Sequence, residues 1–455
     1  MKRVFVSVIL LICVRSYAQQ ILSLKDALQK VRDNYPSIKM KASLVQSAQY
    51  TLNAGKKDYL PELTVAQQFS YATDNGINGI SYSNNGTVLS TSGGIRPQNI
   101  YTPIAGNISS LIINWHAFTF GRIKQQVNYA ASKLQYSRND LDNEVFQQQI
   151  KAADAYLLLD LAQKLVQVRK DNLQRALAFQ EYVLARSGAG LLPGADSSHA
   201  NAEVANAQLA LLQGEQEVAY QKIQLSQLTG INADSVLIDT MQYLQNIPVA
   251  LKSHSLSVVN NPVIQLAKAD VDAQTQRSLM IKKSVLPNVD VIGAGMARGS
   301  GISNATGDYK SGLSDGLPYQ AYNYLVGVGL NWNILSLVKN KQQYQAAKQD
   351  IQASEYKLQE NEQIIQRQLK NADLQYRLSL QQTKVAPVQY ASALEAYNQS
   401  NARYQAGLAT LPEQQEALYA LTRSDVDKAV ANNNAWRSLL QIAAATGDLQ
   451  IFLQQ

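Results

Sequence analysis

Cysteine is nearly absent: Cys13 is the only one among 455 residues. It falls in an N-terminal stretch that reads as a secretory leader. Lys2 and Arg3 precede a short apolar run, Val4 to Val14, and Ser16-Tyr17-Ala18 puts small residues where a signal peptidase cuts. With 1–18 removed, the mature chain begins near Gln19 and carries no thiol, which excludes disulfides and cysteine chemistry. No apolar run approaches 18 residues, so no transmembrane helix is expected. Net charge is also small. Without Lys2, Arg3 and Arg15, 38 basic residues stand against 34 acidic ones, too mild an excess for a nucleic-acid surface. The three histidines, His116, His199 and His254, have no metal-ligand spacing. Gly293-Ala294-Gly295 and Gly299 lack the spacing of a nucleotide fingerprint. No catalytic constellation is visible, and the reading is a protein without enzyme activity, metal or cofactor.

What the chain does contain is a repeat. Residues 185–196 read ARSGAGLLPGAD, and residues 402–413 read ARYQAGLATLPE. At the same offset of 217, Ile113-Asn114-Trp115 matches Leu330-Asn331-Trp332, and Thr229-Gly230 matches Thr446-Gly447. Upstream the offset is 226: Asn34-Tyr35-Pro36 matches Asn260-Asn261-Pro262, Lys56-Lys57 matches Lys282-Lys283, and Leu60-Pro61 matches Leu286-Pro287. The length difference falls in a Gly-, Asn- and Ser-rich stretch, the mark of a surface loop. The chain therefore divides into a leader (1–18), a first repeat (19–230), a connection (231–250), a second repeat (251–447) and a tail (448–455).

Each repeat reads as a helix, two strands, a very long helix and a shorter return helix. Between Arg122 and Arg186 there is neither glycine nor proline, and those 65 residues span roughly 95–100 Å as a helix. Apolar residues such as Leu134, Leu141, Val145, Ala152 and Leu159 recur at three, four and seven, the pattern of coiled-coil packing. Its counterpart, about Val338 to Arg403, contains Pro387, which removes one backbone donor. Gly190 and Gly407 are placed to end these helices at positive φ, with Pro193 and Pro412 in the turns. Asp196 is placed to cap the following helix, and Glu413 to favour its positive end.

The strands show a period of two. Tyr322, Tyr324, Val326, Val328, Leu330 and Trp332 share one face, and Leu111, Ile113 and Trp115 do the same in the first repeat. Aromatics at the ends of an apolar strand face resemble the girdles of outer-membrane barrels. Four strands cannot close a barrel, and open edges in lipid leave backbone groups unsatisfied at several kcal/mol each. Either the sheet stays in water, in a soluble periplasmic coiled-coil scaffold, or several copies share one barrel; three copies supply 12 strands.

The whole mature chain resembles the TolC family of outer-membrane factors. The N-x-P helix starts, the Leu-Pro junctions, the paired R-x-x-A-G-L tips followed by an acid, and the Thr-Gly ends of the return helices carry the likeness. The resemblance implies a mainly α protein with a small β part. It implies a homotrimeric 12-stranded β-barrel, four strands per chain, in outer-membrane lipid, continued by a long α-helical barrel into the periplasm. The implied function is the exit duct of a tripartite efflux or type I secretion system. A periplasmic adaptor (membrane fusion) protein would dock at the tips, with an RND or ABC-type inner-membrane transporter behind it. Carried onto this sequence, Glu413 and Glu416 would line the periplasmic gate, where a carboxylate ring favours cations. Tyr404 and Asp196 would form a latch, although Ala409 stands where the family pattern often has a base. Gly190, Leu191, Gly407 and Leu408 would meet the adaptor, and Tyr322, Tyr324, Trp332 and Trp115 would face lipid.

Overall fold

The computed structural model describes residues 21–75, 82–83, 88–89, 96–239, 243, 246–249, 256–303 and 305–455. The leader, His254 and parts of the first loop and of the inter-repeat connection lie outside the described residues. The described elements are α1 (Leu24–Asn34), α2 (Pro36–Lys57), β1 (Glu62–Ala72), the two-residue β2 (Tyr82–Ser83) and β3 (Val88–Leu89), and β4 (Ile104–Phe118). After these come α3 (Arg122–Gly188), α4 (Gly194–Thr229), α5 (Pro262–Lys283), β5 (Asn288–Ser300), β6 (Ala321–Asn331), α6 (Ser336–Gln405), α7 (Leu411–Thr446) and α8 (Gln450–Leu453). The helix–strand–strand–long helix–helix order occurs twice, as the repeat requires. α3 has 67 residues and α6 has 70, continuing through Pro387. The sequence pattern missed α1, whose cap is Ser23: its hydroxyl accepts from Asp26 N–H at 3.1 Å.

Two compact units divide the chain. The sheet unit, Gln46–Tyr136 with Asp270–Glu355, holds one antiparallel sheet in the order β1-β4-β5-β6. Its register sets Val65, Leu111, Gly295 and Tyr324 in one row and Leu63, Ile113, Gly293 and Val326 in the next. Alternation then gives these rows a common face. Glu62, Asn114, Asp290 and Gly329 fall on the opposite parity. The middle pair, β4 with β5, joins the two repeats, and β1 and β6 are the edges.

The helical unit, Met1–Val45 with Ser137–Ala269 and Tyr356–Gln455, packs around Tyr156, Leu157 and Leu159 of α3 and Trp436, Leu439 and Ile442 of α7. Leu22 and Phe452 join this core from the two ends of the described chain. Tyr243 stacks on Phe452 at 6.1 Å and meets Tyr156 edge-on at 6.0 Å. Asn433 Nδ2 donates to the Leu157 carbonyl at 2.7 Å, and Arg437 pairs with Asp154 at 2.6 Å, fixing α7 against α3.

Return helices end against the starts of their own repeats. Asn261 donates from Nδ2 to the Ala444 and Ala445 carbonyls at 3.0 and 2.9 Å. Its Oδ1 accepts from Val263 N–H at 2.9 Å. One side chain thus serves the last turn of α7 and the first of α5. Gly447 sits above it at φ 78°, where a Cβ would lie 2.5 Å from Asn261 Cα; Gly190, at φ 72°, has open space around it. Positive φ costs an L-residue about 1–2 kcal/mol. Gly190→Ala should lower stability by about that amount, and Gly447→Ala by clearly more, because the clash adds to the strain. Urea or thermal unfolding of the two variants side by side reads the difference.

Asp160 is the conspicuous polar group of this core. It is fully buried, and neither carboxylate oxygen has a hydrogen-bond partner. Burial, and then the charge of Asp239, push its pKa up to about 7. Between the ordinary carboxylate value and that figure, the folded chain holds a proton that the unfolded chain has released. Stability from this group therefore falls as pH rises from about 4 to 7. Asp160→Asn should flatten that dependence and raise the thermal midpoint relative to the parent at pH 8 more than at pH 5.

Candidate functional site

Both long helices end in the same way. Gly190 (φ 72°) and Gly407 (φ 73°) take left-handed backbone. Leu191 N–H donates to the Arg186 carbonyl at 2.9 Å, and Leu408 N–H to the Arg403 carbonyl at 2.8 Å. This six-to-one closure is the Schellman pattern. The two glycines need their conformation for the turn alone, since nothing packs where a Cβ would go. Leu191 and Leu408, one step beyond, are exposed.

The residues after each turn differ. α4 starts at Gly194 behind Pro193, without a side-chain cap, so Asp196 lies inside the first turn and does not cap the helix as its spacing suggested. Its carboxylate still sits at the positive end of the helix. On the other tip Glu413 does reach back: its Oε2 accepts from Thr410 N–H at 3.0 Å. Pro412 lies in the first turn of α7, not in the loop. Glu413 and Glu416 are both exposed.

The hairpins are tied to each other. Arg186 donates from Nη1 to the Gln405 carbonyl at 3.1 Å and to Tyr182 Oη at 2.5 Å. Tyr182 Oη donates to the same carbonyl at 3.1 Å. Tyr404 packs between Phe179 and Tyr182, with Leu411 beside it. Its hydroxyl has no hydrogen-bond partner. Burial first, then the charge of Asp196, raises its pKa. Deeper along the pair, Tyr419 Oη donates to Glu203 Oε2 at 2.5 Å, which holds the Tyr419 pKa up at about 12. Tyr182 and Glu203 carried no readable signal; Arg186 did, as the shared Arg of the repeated frame.

At the sheet, the apolar face is uncovered: Tyr324 is 90% exposed and Val326 80%. A hollow of about 530 Å³ lies over Gly295 and Ala297, walled by Val65, Leu111, Tyr322 and Tyr324. Trp115 and Trp332 close the strand ends in matching fashion. Trp115 Nε1 donates to the Tyr59 carbonyl at 2.9 Å and Trp332 Nε1 to the Val285 carbonyl at 3.0 Å, each at a helix-to-strand turn. Trp332 itself lies one residue past β6. On the opposite parity, His116 Nδ1 and Asp290 Oδ1 are 2.6 Å apart, with Asn288 donating to the same carboxylate. Among the described residues no cluster of His, Cys, Asp or Glu is placed to hold a metal, and no helix is long and apolar enough to cross a membrane.

Long paired helices with tied tips, joined to a sheet whose apolar face is bare, define the outer-membrane channel fold. The family model described as outer membrane efflux protein matches residues 27–231 and again 254–448. The chain belongs to this family, the TolC family of efflux channels. Among solved structures it resembles the outer membrane protein VceC of Vibrio cholerae at 16% identity over 93% of this chain and 96% of that one, with a TM-score of 0.75. The CmeC outer membrane channel of Campylobacter jejuni matches at 15% identity, 93% and 85% coverage and a TM-score of 0.74. The open-state MtrE outer membrane channel of Neisseria gonorrhoeae matches at 14% identity, 93% and 89% coverage and a TM-score of 0.69. No curated protein matches the chain by sequence.

The tip geometry separates two tyrosines. Tyr182→Phe removes two hydrogen bonds and should loosen the tip by about 1 kcal/mol, whereas Tyr404→Phe removes an unpartnered hydroxyl and should leave it unchanged or firmer. Amide hydrogen exchange across 402–411 distinguishes them.

Proposed function

We propose that three copies of this chain form a passive exit duct in the outer membrane. Their four-stranded sheets complete one 12-stranded barrel, and their long helices continue it into the periplasm. The observation that carries the proposal is the bare apolar sheet face bounded by two edges, β1 and β6, that are unpaired among the described residues. In water such a face needs a cover, and in lipid such edges need partners. A sister copy supplies the edge and the bilayer supplies the cover. The soluble-scaffold alternative leaves both unmet.

The tips form the periplasmic gate in this reading. Glu413 and Glu416, three residues apart and exposed, contribute two carboxylates per chain to a narrow ring that favours cations. Tyr404 and Asp196 are the latch candidates; in this arrangement the Tyr404 hydroxyl has no hydrogen-bond partner, so the latch bond is open here. The exposed Leu191 and Leu408, turned outward by Gly190 and Gly407, are the contacts for a periplasmic adaptor. An inner-membrane transporter of RND or ABC type then drives export through a duct with no chemistry of its own. Each structural repeat, 19–230 and 251–447, supplies one half of a subunit.

Detergent-solubilised protein from the outer-membrane fraction should run as a heat-modifiable trimer and open discrete channels in planar bilayers. Replacing Glu413 and Glu416 together with Gln should lower cation over anion permeability several-fold. A monomer soluble without detergent sinks the duct, and unchanged selectivity in active channels sinks the gate assignment alone.

A further inference from the structure

The duct reading leaves unexplained a band of charge where strands meet helices in the sheet unit. α2 ends on Lys56 and Lys57, and α5 ends on Lys282 and Lys283. α3 opens with Arg122 and Lys124, and α6 carries Lys339 and Lys341 in its first two turns. Every strand-to-helix junction of the main sheet thus holds two cations, all exposed apart from the half-buried Arg122.

The internal duplication sharpens this. The lysine pairs correspond at offset 226, and Arg122 with Lys339 and Lys124 with Lys341 at offset 217. The acids in the same stretches do not correspond: Asp58 is matched by Ser284, Glu62 by Asn288 and Asp290 by Thr64. Glu62 and Asp290 also lie on the strand parity opposite to the tryptophans, and Asp290 is engaged by His116 and Asn288. At each junction the two halves keep positive charge and not negative.

Beside these cations lies exposed apolar surface. Tyr59, Phe118 and Phe120 flank the first set, and Ile334, Leu335 and Val338 the last. Phe118 matches Leu335, and Phe120 matches Leu337, at the same offset of 217. An apolar and aromatic belt followed within a helical turn or two by cations matches the profile of a membrane–water interface. Acyl chains meet the first layer there, and anionic headgroups meet the second.

We propose that this band is a seat for anionic phospholipid headgroups of the leaflet that borders the periplasm. It rests on the duct reading, because only a membrane-inserted sheet brings the junctions to that depth. The lysines bind lipid phosphate as point charges, and Trp115 and Trp332 anchor the same level from the strand side.

The test uses full-length protein purified in detergent supplemented with equal phosphatidylglycerol and phosphatidylcholine, with retained lipid counted by mass spectrometry. The parent should retain phosphatidylglycerol several-fold over phosphatidylcholine. The fourfold variant Lys56→Gln, Lys124→Gln, Lys282→Gln, Lys341→Gln should lose that preference, and arginine at the same four positions should keep it. Equal retention of both lipids by the parent overturns the proposal, as does full preference in the glutamine variant. Release of the lipid by inorganic phosphate, or stronger retention of lipopolysaccharide, overturns the assignment to this leaflet. Planar-bilayer conductance of the same preparations reads the duct independently: open channels without lipid preference remove the seat and leave the duct standing.

Discussion

Backbone hydrogen bonding at the free edges of the sheet is the constraint from which the rest follows. β1 pairs with β4 and β6 with β5, so among the described residues each edge strand leaves one row of N–H and C=O groups open. Water can meet such groups, but a bilayer cannot. The apolar rows through Val65 and Tyr324, and through Leu63 and Val326, lie bare, and an exposed apolar face of this kind marks a contact surface. In the proposed duct, the edge and the face are both met by a sheet finished by copies of itself, and one chain supplies four strands of it.

The helical unit meets a different demand. Long, thin helices bury little surface per residue, so their mutual hold is concentrated at a few places. One is the aromatic core around Tyr156, Tyr243, Trp436 and Phe452. Another is the tip, where Arg186 and Tyr182 bind the backbone at Gln405 across hairpins. Against these stand groups that do not pay their way in stability: buried Asp160, the Tyr404 hydroxyl and the Gln414 amide, all unpartnered. Unsatisfied polar groups in a native core call for a reason. At the tip, the proposed gate supplies such a reason: there Tyr404 and Gln414 lie beside the hairpin turn.

Much of the architecture was legible in the sequence because periodicity and duplication report directly on it. The glycine-free run from Arg122 set the length of α3, and the alternation from Tyr322 to Leu330 set the face of β6. Matched Gly190 and Gly407 announced two identical turns. What stayed hidden depends on how one segment meets another. The Asp196 spacing was compatible with a cap, but α4 begins at Gly194 with Pro193 in the cap position, which leaves Asp196 inside the first turn. The indole bonds of Trp115 and Trp332 join residues far apart in sequence, as does the tie from Arg186 to Gln405. α1 is short and sits before the Pro36 signal that the pattern seized on.

The double-ended role of Asn261 has a consequence for how such a chain arises. The end of α7 rests on the start of α5, and in the first repeat the place a methyl would take on Gly230 lies against Asn34. Each repeat therefore finishes where it begins, as a closed circuit. Copying such a unit in tandem demands no new joint between exit and entrance, only a tether long enough to reach the next copy. In the proposed trimer, six such half-length units make up one ring, each free to diverge from its twin without breaking it.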